Sequence, residues 1–417
     1  AGGMFPDEGQ EGAVAADLAI VAGGPAGMMA GLLFARAGVP VTVLKKHGDF
    51  LRDFRGDTVH PSTLELFREL GLRDRLLKPP HNKDGKLSGR IAGRRMRIAD
   101  FRRLPVESRF IALMPQWDFL NFVADEARRY PGFALRMNAE ATGLGYDGSG
   151  RVNAVLLAGG ERVAAQYVIA ADGRRSVLRE AAALPLEDIG APMDVFWFGL
   201  PKRETAENRS MGVFEAGRLF VQIDRGDYWQ CAYVFAKGQA DAVRARGLEA
   251  FRAEIGTLAP DMAEAARDLT DWDQVKLLSV ALDRLTRWHR PGLLAIGDAA
   301  HAMSPVGGVG INLAIQDAVA AANLMGGAMA EGRDVEAIAP LVQRRRLLPT
   351  RIIQRMQKMA HDRIIGALLD PEARLTAPPW PVKLLDRFAV LRGIPARLVG
   401  LGFRREHIRS PDAGGRV

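Results

Sequence analysis

Short apolar runs bounded by glycine or proline alternate along this chain with longer stretches of helical spacing. Leu18–Val21 is an apolar strand, Pro25 to Ala37 has helical character, and Val41–Leu44 is a second strand. Strand, glycine turn, helix and strand together make a βαβ unit. Ser62-Thr-Leu-Glu65 reads as a capping box, whose hydroxyl and carboxylate satisfy free amides reciprocally and open a helix to Leu70. Pro79, Pro80 and the polar run after them mark an excursion from that unit. Trp117 to Arg129 is an amphipathic helix, followed by strands at Phe133–Met137, Val152–Ala158 and Tyr167–Ala171. From about Val195 to Phe235 alternating strands take over, with Gly217 and Gly226 in hairpin turns. Leu293–Ile296 returns to a buried strand and Ile311–Met325 is an Ala-rich helix. The remainder is mostly helical, broken at Pro349 and at Pro378–Pro381.

The 417 residues exceed one ordinary domain. An apolar content of 48% beside 25% charged residues is that of a globular protein, with no apolar run of the roughly 18 residues a membrane helix needs. The first 16 residues read as a flexible tail and not a signal peptide. Cys231, the single cysteine, excludes an internal disulfide and fits a cytoplasmic location; its strand-like surroundings predict a buried structural thiol. A net charge of +8 can attract nucleic acid or an anionic cofactor, but the basic residues are scattered, with short clusters only, such as Arg344-Arg345-Arg346. Nucleic-acid binding is therefore not expected. The seven histidines show no metal-ligand spacing, so no metal site is expected either.

Three motifs carry chemistry. The first is Leu18-Ala-Ile-Val-Ala-Gly-Gly-Pro-Ala-Gly27, between the first strand and its helix. In a dinucleotide-binding unit the pattern G-x-G-x-x-G supports a tight turn, close approach to a pyrophosphate, and close helix–strand packing. The pyrophosphate then rests on free amides at the helix N-terminus, and an acid ending the second strand grips a ribose diol. Here the three glycine positions hold Ala22, Gly24 and Gly27, and the residue in the acid's place is Lys45. A methyl at the first position costs roughly 1–2 kcal/mol if the turn needs a left-handed backbone. Loss of charge-assisted bonds to the ribose removes about 1.5–3 kcal/mol. The sum weakens a dinucleotide by roughly two to four decades, less whatever Lys45 recovers by turning toward a phosphate. Alone, so damaged a motif reads first as a βαβ unit with a small-residue turn and no ligand.

The second motif, Ala171-Asp172-Gly173, follows a strand and precedes Arg174-Arg175-Ser176 at a helix start; by itself it is common. The third, Gly297-Asp298-Ala-Ala-His301, follows a buried strand and runs on through Pro305-Val-Gly-Gly308-Val-Gly310-Ile-Asn312, a glycine-rich turn entering a helix. A carboxylate at Asp298 can accept from a chain of hydroxyls, and amides freed at such a turn suit an anionic ring edge.

With these residues the chain resembles the group A flavin monooxygenases, the para-hydroxybenzoate hydroxylase fold family, from about Asp17 to Arg409. The resemblance includes Arg55-Gly-Asp-Thr-Val-His-Pro-Ser62, Leu113-Met-Pro-Gln-Trp-Asp118, Asp224-Arg-Gly-Asp-Tyr-Trp-Gln230 and Ala396-Arg-Leu-Val-Gly-Leu-Gly402. It implies an α/β fold with a Rossmann-like FAD-binding domain, an inserted β-sheet substrate domain and a helical C-terminal region. The segments would be a tail at 1–16, the nucleotide domain at 17–80, 105–180 and 277–345, the substrate domain at 81–104 and 181–276, and the C-terminal region at 346–417. NAD(P)H would reduce the flavin, which would then activate oxygen to hydroxylate an aromatic or polyketide-like ring. Asp298 would hold the ribityl chain, Gly307 to Asn312 would face the isoalloxazine, Arg55 and Gln116 would contact the flavin side, and Asp172 would bridge FAD and reductant.

Two functions stay open. One is a monooxygenase with loosened FAD binding; the other is a fold that abandoned FAD and uses its chamber for non-redox cyclisation, dehydration or isomerisation. A halogenase lacks its W-x-W-x-I-P signature here, and a plain nicotinamide dehydrogenase gives the stretch from Gly297 to Asn312 no role. His60, His301, Arg225, Asp227 and Tyr228 are polar residues within reach of a chamber, although His301 reads first as packing beside the turn, and no catalytic acid or base is identifiable.

Overall fold

A computed structural model describes residues 16–22, 24–50, 58–202, 211–215, 218–370, 372 and 377–414. Residues 1–15 of the expected tail, Arg55, Gly217 and the variable glycine Gly23 lie outside the described residues, while Ala16, expected in the tail, opens the first strand.

A parallel sheet forms the centre. The strand Ala16–Ala22 lies between Arg162–Ala171 on one side and Val41–Leu44 on the other; Phe133–Arg136 and Leu293–Ala295 extend the two flanks. Its central residues Leu18, Ile20, Val168, Ile169 and Leu294 have no solvent exposure, as expected for a sheet covered on both faces. The helices Pro25–Arg36 and Gly310–Ala330 pack along each other on it. Ten of the twelve residues of the first helix are buried, so its apolar content drives burial against the sheet and a neighbouring helix rather than a single amphipathic face.

A second, seven-stranded sheet runs in the order Lys276–Ser279, Met193–Pro201, Tyr228–Ala236, Arg218–Asp224, Met211–Glu215, Lys86–Ile91 and Arg94–Asp100. Gly226, at φ +92°, makes the hairpin between its third and fourth members, a conformation that glycine adopts without strain. One face packs Phe196, Phe198, Phe220 and Tyr233 around Phe251 of the covering helix Leu248–Leu258, an aromatic core. Cys231 is wholly buried there, and burial pushes its thiol far above the usual range, leaving it inert.

Two local expectations are corrected. The helix after the second strand starts at Pro61, one residue ahead of the capping box, with His60 as N-cap and no side-chain cap. Proline at the first helical position brings a preset φ and no orphan amide, and Glu65 is instead drawn away to accept from the Ser108 amide at 2.9 Å. Pro349 does not break the chain either: it lies inside the continuous helix Ala339–Ala360, buried against the core. Packing of that helix outweighs the lost hydrogen bond.

Candidate functional site

The site is built where strand ends of the parallel sheet meet helix N-termini. Ala22 is the last residue of its strand, paired beside Ala171. It is absent from the described non-glycine residues with positive φ, so the left-handed penalty allowed for at this position does not arise. Gly24 is extended, at φ −165° and ψ −150°, and a β-carbon built on it meets nothing within 4 Å. The space before the helix is thus open, with no side chain capping its amides. Gly27 is different. A β-carbon there would stand 2.3 Å from that of Ala22 and 3.3 Å from that of Ala171, so close helix–strand packing demands glycine.

Lys45 follows the second strand and continues its ladder, its amide donating to the Arg136 carbonyl at 2.9 Å. The side chain turns inward and is 1% exposed, with Nζ 5.2 Å from the centre of the Phe50 ring. The cation at the end of the second strand is thus directed inward, toward an aromatic face that attracts it.

The second and third motifs meet. Gly297, at φ +61°, stands where a β-carbon would lie 2.9 Å from that of Ala26 and 3.3 Å from that of Ala314. The turn is thereby pinched between the starts of the two central helices. Asp298 remains partly open, its side chain 31% exposed and Oδ2 3.7 Å from the Arg174 Nε. Arg174 also donates to the Met303 carbonyl at 3.4 Å, and Arg179 ties the Arg174 carbonyl to that of Ala299. Asp172 accepts from the Ser176 hydroxyl and the Leu178 amide, closing its own loop over the short helix Val177–Ala181. Burial holds that carboxyl above its ordinary range.

The glycine-rich turn runs from Pro305 through Gly307 and Gly308, at φ +80° and +62°, to Gly310, the first residue of the long helix. At Gly308 glycine is doubly required, since a β-carbon would lie 2.5 Å from the Thr58 Oγ1 and 3.4 Å from the His60 Nε2. Asn312 ties the turn to the segment before the helix that begins at Pro61. It accepts from the His60 amide at 2.9 Å and the Thr63 hydroxyl at 2.7 Å, and donates to the Thr58 and Gly308 carbonyls at 3.2 Å each. All its polar atoms are engaged in stitching the turn to residues 58–63. Gln116 begins the helix Gln116–Ala127, just past a strand that pairs with Thr58–Val59, and is half-buried.

Several residues that shape the site carry no sequence signal of that role. Gln357 accepts from the Ser304 amide and donates to the Ser304 and Val306 carbonyls, clamping the turn from the helix behind it. Asp317 accepts from the Gly297 amide at 3.0 Å and meets His301 through the same oxygen; its other oxygen takes the Arg346 Nε. Arg346, counted above in a scattered basic cluster, is wholly buried and reaches Glu406 as well. His301 is equally buried and holds this scaffold. His60 hangs between layers, its Nδ1 donating to the Val399 carbonyl at 2.7 Å. Burial lowers its pKa to about 4, against the opposing pull of that carbonyl, so the ring is neutral at pH 7. Arg225 bonds Gln230 within its hairpin, and Asp227 is exposed at the tip.

Val306, beside the glycine turn, packs into the same apolar cluster as Val195, Leu219 and Val234 of the large sheet. The turn and the sheet face are thereby neighbours, with Trp197, Phe214 and Val221 partly buried along that wall. Tested against FAD, the open Gly24 turn, the accessible Asp298 carboxylate and the glycine-rich loop fit; the inward cation at Lys45 does not fit a ribose diol. Among the described residues no helix is long and apolar enough to cross a membrane, and no cluster of His, Cys, Asp and Glu suits a metal.

The family model described as an FAD binding domain matches residues 15–356. The chain is 34% identical over 314 residues to a 6-methylpretetramide 4-monooxygenase from Streptomyces rimosus, covering 73% of this chain and 74% of that protein. It is 26% identical over 313 residues to a dialkyldecalin synthase from Streptomyces rugosporus, covering 72% of this chain and 63% of that one. The solved anhydrotetracycline hydroxylase of Streptomyces rimosus superposes with a TM-score of 0.73 at 21% identity, over 93% of this chain and 76% of the other. Parallel sheet, pinched GD turn and neighbouring second sheet thus agree with the family match: the chain belongs to the FAD-binding-domain family and is a flavin-dependent monooxygenase of the group A fold.

Proposed function

We propose that this protein hydroxylates an aromatic or polyketide-like ring, using NAD(P)H as reductant and holding FAD more weakly than an intact first motif would. Convergence of the Gly24 turn, the Gly297–Asp298 turn and the glycine-rich loop beyond the carboxyl ends of the parallel strands is the observation that carries this reading. Bound FAD would supply oxygen activation. The helix start at Pro25 would receive the pyrophosphate on free amides, where the helix dipole favours negative charge. Asp298 would accept from ribityl hydroxyls, and Gly307 to Gly310 would back the ring. Asn312 and Asp317 would act one layer behind, by fixing the loop. The apolar wall at Trp197, Phe214 and Val221 suits a flat, largely apolar substrate. The polyketide class is supported by the name of the 34% identical relative.

Weak FAD binding rests on Lys45 alone, since Ala22 imposes no backbone strain. The same buried cation favours a second reading, in which FAD is not used and the chamber performs a non-redox cyclisation; the relative named as a synthase supports it. The visible spectrum of the isolated protein separates the two. A yellow protein, or one that turns yellow on adding FAD, is expected. A colourless protein that takes up no FAD at high micromolar concentration overturns the first reading in favour of the second.

A further inference from the structure

The net charge of +8 is not used by the flavin site, and part of it gathers around an exposed apolar ridge near the C-terminus. The helix Trp380–Arg387 has no buried residue, and its exposed Trp380 and Leu384 continue into Phe388 at successive four-residue steps. Val390 and Ile394 prolong the ridge; Trp380 is 75% and Val390 73% exposed. Between Trp380 and Gly400 stand Lys383, Arg387, Arg392 and Arg397 against one acid, Asp386, a net of +3 (four minus one). Asp386 is already engaged by Arg97, at 2.9 Å to its Nε. The ridge rests on the strand Arg94–Asp100, whose Arg94 and Arg95 are also exposed.

We propose that this ridge docks the protein on an anionic lipid surface. Tryptophan, leucine and phenylalanine along one helix edge, with lysine and arginine beside them, are the pattern of a segment lying in the headgroup layer. The apolar side chains enter the acyl boundary, while the long basic ones keep their charges among the headgroup phosphates. A second copy of this chain would bring two faces of like charge together, which disfavours self-association through the ridge. The docking is independent of the substrate reading above.

The test is cosedimentation of the full chain with vesicles of phosphatidylcholine alone, or containing roughly one third phosphatidylglycerol. About fivefold or more extra binding to the anionic vesicles is expected, declining as salt is raised. Trp380→Ser with Phe388→Ser, and separately Lys383→Glu with Arg387→Glu, are each expected to lower binding by about tenfold without moving the thermal midpoint. Equal binding to both vesicle types, or indifference to both variants, overturns the proposal. So does a dimer in sedimentation that the Trp380→Ser, Phe388→Ser variant dissociates, since a second copy then covers the ridge. Binding of soluble polyglutamate as tight as that of anionic vesicles would also overturn it, in favour of an acidic protein partner.

Discussion

Arg346 donates its Nε to Oδ1 of Asp317 across 3.0 Å, and neither side chain reaches solvent. The pair lies directly behind the Gly297 turn, because the other Asp317 oxygen accepts the Gly297 amide. A buried ion pair is weak evidence for stability by itself, since desolvation offsets the attraction. Removal of Asp317 is another matter, because buried Arg346 is then left with Glu406 alone, and His301 and the Gly297 amide lose their acceptor.

Asp317→Ala is accordingly expected to cost roughly 3–5 kcal/mol, read as a lower midpoint in denaturant, and to weaken FAD uptake with it. Burial alone would raise the Asp317 carboxyl, but His301 and Arg346 outweigh it and hold the pKa below the usual range. A depressed folded pKa contributes stability above the unfolded value of about 3.9 that is lost as pH falls through the folded value. The wild-type protein should therefore lose this contribution only below about pH 4.

His60 gives a separate window. Its folded pKa of about 4 lies below the ordinary imidazole value of 6.5, so the unfolded chain binds the extra proton between them. The resulting stability is complete above pH 6.5 and is lost as pH falls toward 4, by roughly 3 kcal/mol at about 1.4 kcal/mol per unit. His60→Gln should flatten that slope in denaturation curves taken between pH 7 and 4.5. An unchanged slope would assign the proton uptake elsewhere.

Gly27 and Ala22 should be coupled. Gly27→Ala places a methyl 2.3 Å from the Ala22 β-carbon and is expected to cost about 1–3 kcal/mol through overpacking. Ala22→Gly removes the nearest obstacle, so the double variant should recover a good part of the loss. Additive effects in a double-mutant cycle would contradict the packing account.

FAD titration by fluorescence quenching separates the two departures in the first motif. Ala22→Gly alone should change affinity little, because the strand conformation at Ala22 suits any residue. Lys45→Glu restores a ribose acceptor and should tighten binding about tenfold or more, whereas Lys45→Met should not. No gain from the glutamate would mean that the second strand's end does not meet the ribose.

Much of the fold was legible because strand and helix periods are local. Val41–Leu44 and the helices from Pro25 and Gly310 follow from apolar spacing and glycine placement, and the three motifs sit at strand ends, where such turns must lie. Pro349 and the capping box at Ser62 misled for one reason: a local rule was overruled by packing. The helix holding Pro349 is buried against the core, and Glu65 found a better donor in Ser108.

By itself, then, the chain determined the βαβ order, the glycine turns and the charge reversal at Lys45, since each depends on neighbours within a few residues. Only tertiary structure decided that Lys45 points inward, that Asn312 and Asp172 bind their own loops, and that Arg346 pairs with Asp317 and Glu406. Side-chain direction and partnership are set by which distant segments pack together, and sequence periodicity does not contain that information.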